Sequence, residues 1–316
     1  MDEIFQKSFH IVKLVSMRAI PVLFVVTYLQ ERGAFKFLDK FARVIVSKTG
    51  FSTVTGKAFV ANAGSVYAGG GMLVNMYNRG EISRVNLILS AAFSVFPAHI
   101  RILLTATGPV VFSLFTFPVA LFYVCFSLTS AFLRVMVAGF LSHKVITREE
   151  VARVNGYLAS QPRKSRRTRK RTALNAAFKR TTRYALKLVI FVTLITGLVF
   201  YLNEHGIFQK LPLNVSLVGL PEEYNVALFS YLGNAYAGMG VISDFLAKGE
   251  LTTMVAIKLL IFCMLCSRPI VAIKESPTYY LGLYGMKNGI LLILFNLSIF
   301  SMLAVIVLFG LSIWGI

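Results

Sequence analysis

The residues able to do chemistry are few, and they sit in apolar surroundings. His99 and Arg101 follow Pro97, and Arg268 precedes Pro269. His99 and Arg268 are 169 positions apart, each inside a long apolar run. Proline removes a backbone hydrogen bond and kinks a helix, and a cation at membrane depth is a candidate functional group by default. No Asp or Glu lies between Ile82 and Ala106 or between Leu251 and Lys274. Free divalent iron would want carboxylates or thiolates, so these cations suit a neutral or anionic solute with hydrogen-bonding groups. Cys125, Cys263 and Cys266 all lie in apolar segments and imply no disulfide framework. No His/Cys cluster, nucleophile elbow or carboxylate pair points to an enzyme, and no cofactor or metal is expected.

A second set of polar groups lies in two glycine-rich stretches. Residues 64–81 read GSVYAGGGMLVNMYNRGE, and residues 233–250 read GNAYAGMGVISDFLAKGE. The offset is again 169, and seven of the eighteen positions are identical: Gly64, Tyr67, Ala68, Gly69, Gly71, Gly80 and Glu81. Upstream, YLQERGAF from Tyr28 is echoed by YLNEHGIF from Tyr201. The chain is a tandem duplication. Asn62, Gly64, Ser65 and Tyr67 in one copy, and Asn234 and Tyr236 in the other, are the candidate solute contacts, together with His99, Arg101 and Arg268. Asp244 and Glu275 are the candidate coupling residues, with a surface place for Glu275 and an Arg268–Glu275 ion pair both left open.

The elements that must position these groups are membrane elements. Of the 316 residues, 56% are hydrophobic, and the mean hydropathy is +0.71. Six runs are long enough to span a bilayer, which takes roughly 20 apolar residues: Ile11–Leu29, Asn86–Ala106, Pro109–Phe140, Leu186–Leu202, Leu251–Ile273 and Ile290–Trp314. Arg18 interrupts the first, which argues against a cleaved signal. Phe51–Arg79 and Asn225–Asp244 are too rich in small residues for a plain span and too apolar for a loop. Two short helices meeting near Asn62–Ser65 would form a re-entrant hairpin, tolerated at depth only when buried in protein or facing a wet cavity, and the second copy would match it. Gly69 and Gly238 are placed where the helices of each hairpin approach closely.

Charge sets the orientation. Seven of the residues in Arg163–Arg171 are Lys or Arg, within a net charge of +20. By the positive-inside rule this run is a cytoplasmic anchor, and the absence of interleaved aromatics speaks against specific nucleic-acid binding. Glu31–Lys48 mixes five cations with apolar residues and reads as an amphipathic helix on the inner surface. Its counterpart, Glu204–Tyr224, carries Lys210 beside three glutamates and reads as external. The two halves are therefore expected to be inverted.

Ala63-Gly-Ser-Val-Tyr-Ala-Gly69, Arg79-Gly-Glu-Ile82 and Phe96-Pro-Ala-His99, with their counterparts one repeat later, resemble the "nucleoside recognition" or Gate domain. That domain occurs in concentrative nucleoside transporters, FeoB-type ferrous-iron permeases, spore-maturation proteins and stand-alone archaeal membrane proteins, the last being the nearest in pattern. The resemblance implies span, interfacial helix, hairpin, broken span and span, given twice inverted. The iron permeases' cysteine before an Arg-Pro segment has a partial match in Cys266-Ser-Arg268-Pro269 and none at Pro97-Ala-His99, and no GTP-binding domain is read here.

The expectation is thus an all-α polytopic membrane protein of two inverted-topology repeats. Each repeat has about three spans, an interfacial helix and a re-entrant helical hairpin. Residues 1–142 would form the first membrane repeat, 143–182 a basic cytoplasmic linker and 183–316 the second membrane repeat. The expected function is a multi-pass carrier in the cell membrane for a small polar solute, nucleoside-like or anionic, bound between the hairpins. A ferrous-iron permease and a non-transporting scaffold are the alternatives. Expected partners are the small-molecule solute, a coupled Na+ or H+, membrane lipid and a second copy of the chain as a homo-oligomer.

Overall fold

The computed structural model describes residues 49–159 except Ser65, residues 214–274 and residues 280–313, with Gln6, Lys13, Thr193, Leu198, Tyr201 and His205 as isolated positions. The spans expected at Ile11–Leu29 and Leu186–Leu202, the segment Glu31–Lys48 and the basic run Arg163–Arg171 lie outside the described residues, as do Ser65 and Glu275. Every described element is helical. Four helical segments are long and apolar enough to cross a membrane: Arg84–Leu114, Phe117–Val145, Thr253–Ala272 and Met286–Ile313.

The first glycine-rich stretch folds as two helices, α1 (Thr53–Gly64) and α2 (Val66–Asn78), packed on each other. The second does the same with α8 (Asn225–Gly233) and α9 (Ala235–Ala247). Lipid tails are as apolar as leucine, so helices in a membrane gain little from hydrophobic burial and associate through close packing of small residues. Gly69 supplies that contact in the first pair: a Cβ there would overlap the Asn62 side chain and the Ala58 carbonyl. Gly238 supplies it in the second, where a Cβ would overlap Tyr231. Positions 62 and 231 are themselves 169 apart, so the same crossing occurs at the same place in both copies.

Both hairpins end alike. Gly80 and Gly249 adopt φ of 71° and 76°, a left-handed conformation that glycine takes without a Cβ penalty. Glu81 N donates to Met76 O at 3.0 Å, and Glu250 N donates to Phe245 O at 3.0 Å, the bond that terminates a helix with glycine just past its end. This accounts for the repeated Gly-Glu pair.

After the hairpin comes a span made of α3 (Arg84–Ser94), α4 (Phe96–Ile102), a π-turn at Leu103–Thr107 and α5 (Gly108–Leu114). Ser83 caps α3, its hydroxyl accepting from Asn86 N at 3.2 Å. The span is interrupted at Val95, just before Pro97. The π-turn has its own cause: Pro109 cannot donate to the Thr105 carbonyl, and Gly108 N donates instead to Leu103 O. A Cβ at Gly108 would strike that carbonyl. The expected boundary at Pro109 is thereby corrected: Gly108–Leu114 belongs to this span, and the next begins only at Phe117. Thr116 there is extended, and Pro118 occupies the first turn of α6 (Phe117–Val145).

In the second half, α10 (Thr253–Lys274) starts 169 residues after α3, and α12 (Met286–Ile313) starts 169 after α6. The short α11 (Gly282–Tyr284) precedes α12. One expectation fails here. Pro269 lies inside a continuous helix, so only the first half has an interrupted wall at the proline. A proline within a membrane helix is tolerated where neighbouring groups satisfy the freed backbone.

The range read as a linker opens on the end of α6 and continues with α7 (Arg148–Ala159), which is tied to the first half. Glu150 Oε1 accepts from Ser83 N at 2.6 Å and from Asn86 Nδ2 at 2.8 Å, and Asn155 Oδ1 accepts from Thr53 N at 2.9 Å. A carboxylate at a helix N-terminus also meets the positive end of its dipole. Replacing Glu150 by Ala is expected to cost about 1.5–3 kcal/mol, the scale of a hydrogen bond to a charged group. Thermal unfolding of the purified variant should show the loss, and an unchanged midpoint would mean α7 is not holding the hairpin to α3.

Candidate functional site

A cavity of about 470 Å³ lies where the two halves meet. Its first-half wall comes from α4, the π-turn and α6, with His99, Leu103, Thr107, Tyr123 and Ser127. Its second-half wall comes from the tip of the second hairpin and α10, with Tyr231, Asn234, Tyr236, Ser267 and Arg268. Ligand pockets run about 300–1,000 Å³ and combine apolar walls with a few converging polar groups, and this cavity fits that description.

Each polar group is held in place. The Asn234 side chain accepts from Tyr236 N at 2.9 Å and Ala237 N at 3.2 Å, capping α9 so that the helix start faces the cavity. His99 Nε2 and Ser127 Oγ share a hydrogen bond of 3.0 Å. Ile102, Leu103 and Thr107, spaced at i, i+1 and i+5 across the π-turn, also line the cavity. The Arg268 guanidinium sits over the Phe300 ring, 4.1 Å from its centroid, an interaction worth about 0.5–2 kcal/mol.

Arg268 also borders a smaller chamber of about 70 Å³, lined with it by Arg134, Tyr280, Asn296 and Phe300. Among the described residues the two linings contain two arginines and a histidine, and no Asp or Glu. Every described Asp and Glu lies outside the four spans. An arginine at the centre of a span costs ~2.5–3.5 kcal/mol on insertion scales, so the interior carries positive charge at a substantial cost.

Comparison with known proteins matches two relatives. The uncharacterized protein MJ1556 of Methanocaldococcus jannaschii is 27% identical over 250 residues, covering 73% of this chain and 71% of its own. The uncharacterized protein MJ0871 of the same organism is 22% identical over 301 residues, covering 94% and 92%. No family model matches the chain, and no solved structure does.

Four of the candidate residues meet at the cavity: His99, Asn234, Tyr236 and Arg268. The other described candidates do not line it. Asn62 is fully buried and committed to α3, its amide donating to Ser94 O at 2.7 Å and Ser94 Oγ at 3.0 Å. Tyr67 is exposed near the first hairpin's tip. Arg101 is half-buried on α4, two residues past His99 and outside the lining. Gly64 closes α1. Asp244 is held by Lys248 at 2.7 Å on the last turn of α9, and that hydrogen bond raises the lysine's pKa. Among the described residues the site is therefore asymmetric, with one hairpin tip at the cavity rather than two.

Arg134, Tyr123 and Tyr231 were not among the sequence candidates. Arg134 had a usable signal, as the lone cation within the Pro109–Phe140 run. Tyr231 had one too: it is the repeat partner of Asn62. The two side chains occupy one position in the repeat and do different work, Asn62 fastening helices and Tyr231 facing the cavity.

Proposed function

We propose that the chain is a membrane carrier for a small polar solute, nucleoside-like or anionic, held in the cavity between the second hairpin and the α4–α6 wall. The observation that carries this reading is a cavity of about 470 Å³ whose walls come from both halves of the chain. A site shared by two repeats opens to alternate sides when one repeat rocks against the other. The tyrosines and serines supply hydrogen-bonding groups, and His99 and Arg268 favour a polar or negative solute.

Two inverted-topology repeats of three spans each suit such a carrier. In support, the first hairpin helices end at Gly64 and Gly233 and the second start at Val66 and Ala235, and these, the exits at Gly80 and Gly249, and the span starts at Arg84/Thr253 and Phe117/Met286 all keep the 169-residue offset. Inversion rests on the charge contrast between Glu31–Lys48 and Glu204–Tyr224. In a background with Cys125 replaced, because that thiol is exposed, a cysteine at Lys40 is expected to label from the cytoplasm and one at Lys210 from outside. Labelling of both from one side would overturn the inversion. On this reading the chain is not an enzyme, its basic linker is cytoplasmic, and its partners are the solute, a coupled Na+ or H+, lipid and a second copy.

The purified protein in liposomes should take up at least one member of a panel of organic anions and nucleosides. Uptake of ferrous iron or manganese alone would favour the metal-permease alternative. No flux of any solute would leave the membrane scaffold.

A further inference from the structure

The smaller chamber behind Arg268 has a composition the carrier reading does not use. Arg134 stands in the middle of α6, and α12 brings Asn296 against it. The Arg134 Nη1 donates to Asn296 Oδ1 at 3.2 Å, and its Nε donates to Ser130 O at 3.2 Å, leaving the rest of the planar fork for another acceptor. Asn296 Nδ2 donates to the Tyr280 hydroxyl at 3.2 Å and to Leu292 O at 2.7 Å, which fixes the amide with its oxygen toward Arg134. Arg268 lines the same chamber, its guanidinium over the Phe300 ring. Two cations thus face one small space from two different spans, and among the described residues the lining offers no carboxylate to balance them.

We infer that this chamber binds a compact monovalent anion. Its volume of about 70 Å³ exceeds the roughly 10–15 Å³ that one water needs and falls well below the ~300–1,000 Å³ of ordinary ligand pockets, a size that suits a halide or one carboxylate group. Charged donors bind anions most strongly where water is excluded and the donors are already placed, and here stacking and the Asn296 amide place them. The inference concerns equilibrium binding and stands whether or not the chain transports anything. Two sources share the chemistry: an inorganic halide, or the carboxylate end of an organic acid reaching past Arg268 from the larger cavity.

The test uses the purified full chain in detergent, with thermal unfolding followed at constant ionic strength as gluconate is exchanged for chloride, bromide or acetate. Wild type should show a saturable rise in midpoint with chloride and bromide. Acetate acting equally well would assign the chamber to carboxylates, and acetate without effect would assign it to halides; either result supports the site. Arg134→Gln should weaken the response at least 10-fold. Asn296→Asp is the decisive variant, because it sets a built-in carboxylate where Arg134 already makes its 3.2 Å bond. It should fold, match or exceed wild type in gluconate, and lose the chloride response. Neither Arg134 nor Asn296 lines the larger cavity, so a result here is separable from loss of solute binding. The inference is overturned if Asn296→Asp responds to chloride like wild type, if wild type responds to none of the three anions, or if a response appears only in Glu275→Gln, which would make Glu275 the occupant.

Discussion

Arg268→Gln is expected to cut uptake of an anionic solute roughly 10- to 100-fold, the loss of one charge-assisted hydrogen bond of about 1.5–3 kcal/mol. The residue borders both cavities and stacks on Phe300, so its guanidinium is oriented before any solute arrives. Glutamine keeps a donor at similar reach and removes the charge. Neutral solutes should therefore lose much less, because their bonds to Tyr236 and Asn234 do not pass through Arg268. Arg268→Lys separates charge from shape: lysine keeps the cation but loses the planar fork that stacks and binds in two places at once. It should restore part of the anion flux and none of the geometry that depends on Phe300. The measurement is radiolabelled uptake into liposomes across a panel of anions, nucleosides and divalent metals. Equal losses for neutral and anionic solutes would mean that Arg268 supports the wall rather than the substrate.

What the sequence disclosed follows from which physical signals are local. The hairpin junctions were legible because small and polar residues in an apolar stretch have few other places to be, and the repeat supplied a second copy of each clue. Gly69 and Gly238 were readable for the same reason. Span ends were less so, because Gly108–Leu114 and Phe117–Val145 are apolar on both sides of the break and a hydropathy run fuses them. The stop was marked only by Thr116 and Pro118, which act through local backbone geometry. Prolines were ambiguous in another way: Pro97 sits just after an interruption while Pro269 stays within a helix, though both precede or follow a cation. The difference lies in what the neighbouring helices provide, which spacing does not encode. The second chamber was the least legible part, since Arg134, Arg268, Tyr280 and Asn296 come from four separate stretches of the chain and meet only through packing.

Gly69→Leu and Gly238→Leu should each abolish folding, and the two Gly→Ala variants give the graded version. The obstacle at Gly238 is the backbone and Cβ of Tyr231, so an added methyl cannot be relieved by rotating a side chain; α8 and α9 must separate. At Gly69 the obstacle is the Ala58 carbonyl together with the Asn62 amide, which cannot turn aside without releasing Ser94. Overpacking of this kind costs about 1–3 kcal/mol for a methyl, and a leucine adds far more volume. Gly71 is the control. It is also identical in both copies, yet a Cβ there meets nothing within 4 Å, so Gly71→Ala should be neutral or slightly stabilising in its helix. Recovery of monodisperse protein after solubilisation, followed by thermal unfolding, measures all five variants. Gly238→Ala carries a further expectation: moving Tyr231 reshapes the larger cavity, so solute uptake should fall even in molecules that fold. Gly69→Ala touches no residue of that cavity and should lose stability while folded molecules keep their affinity. Wild-type stability in both Gly→Leu variants would remove the close crossing, and with it the wall that holds Tyr231 at the site.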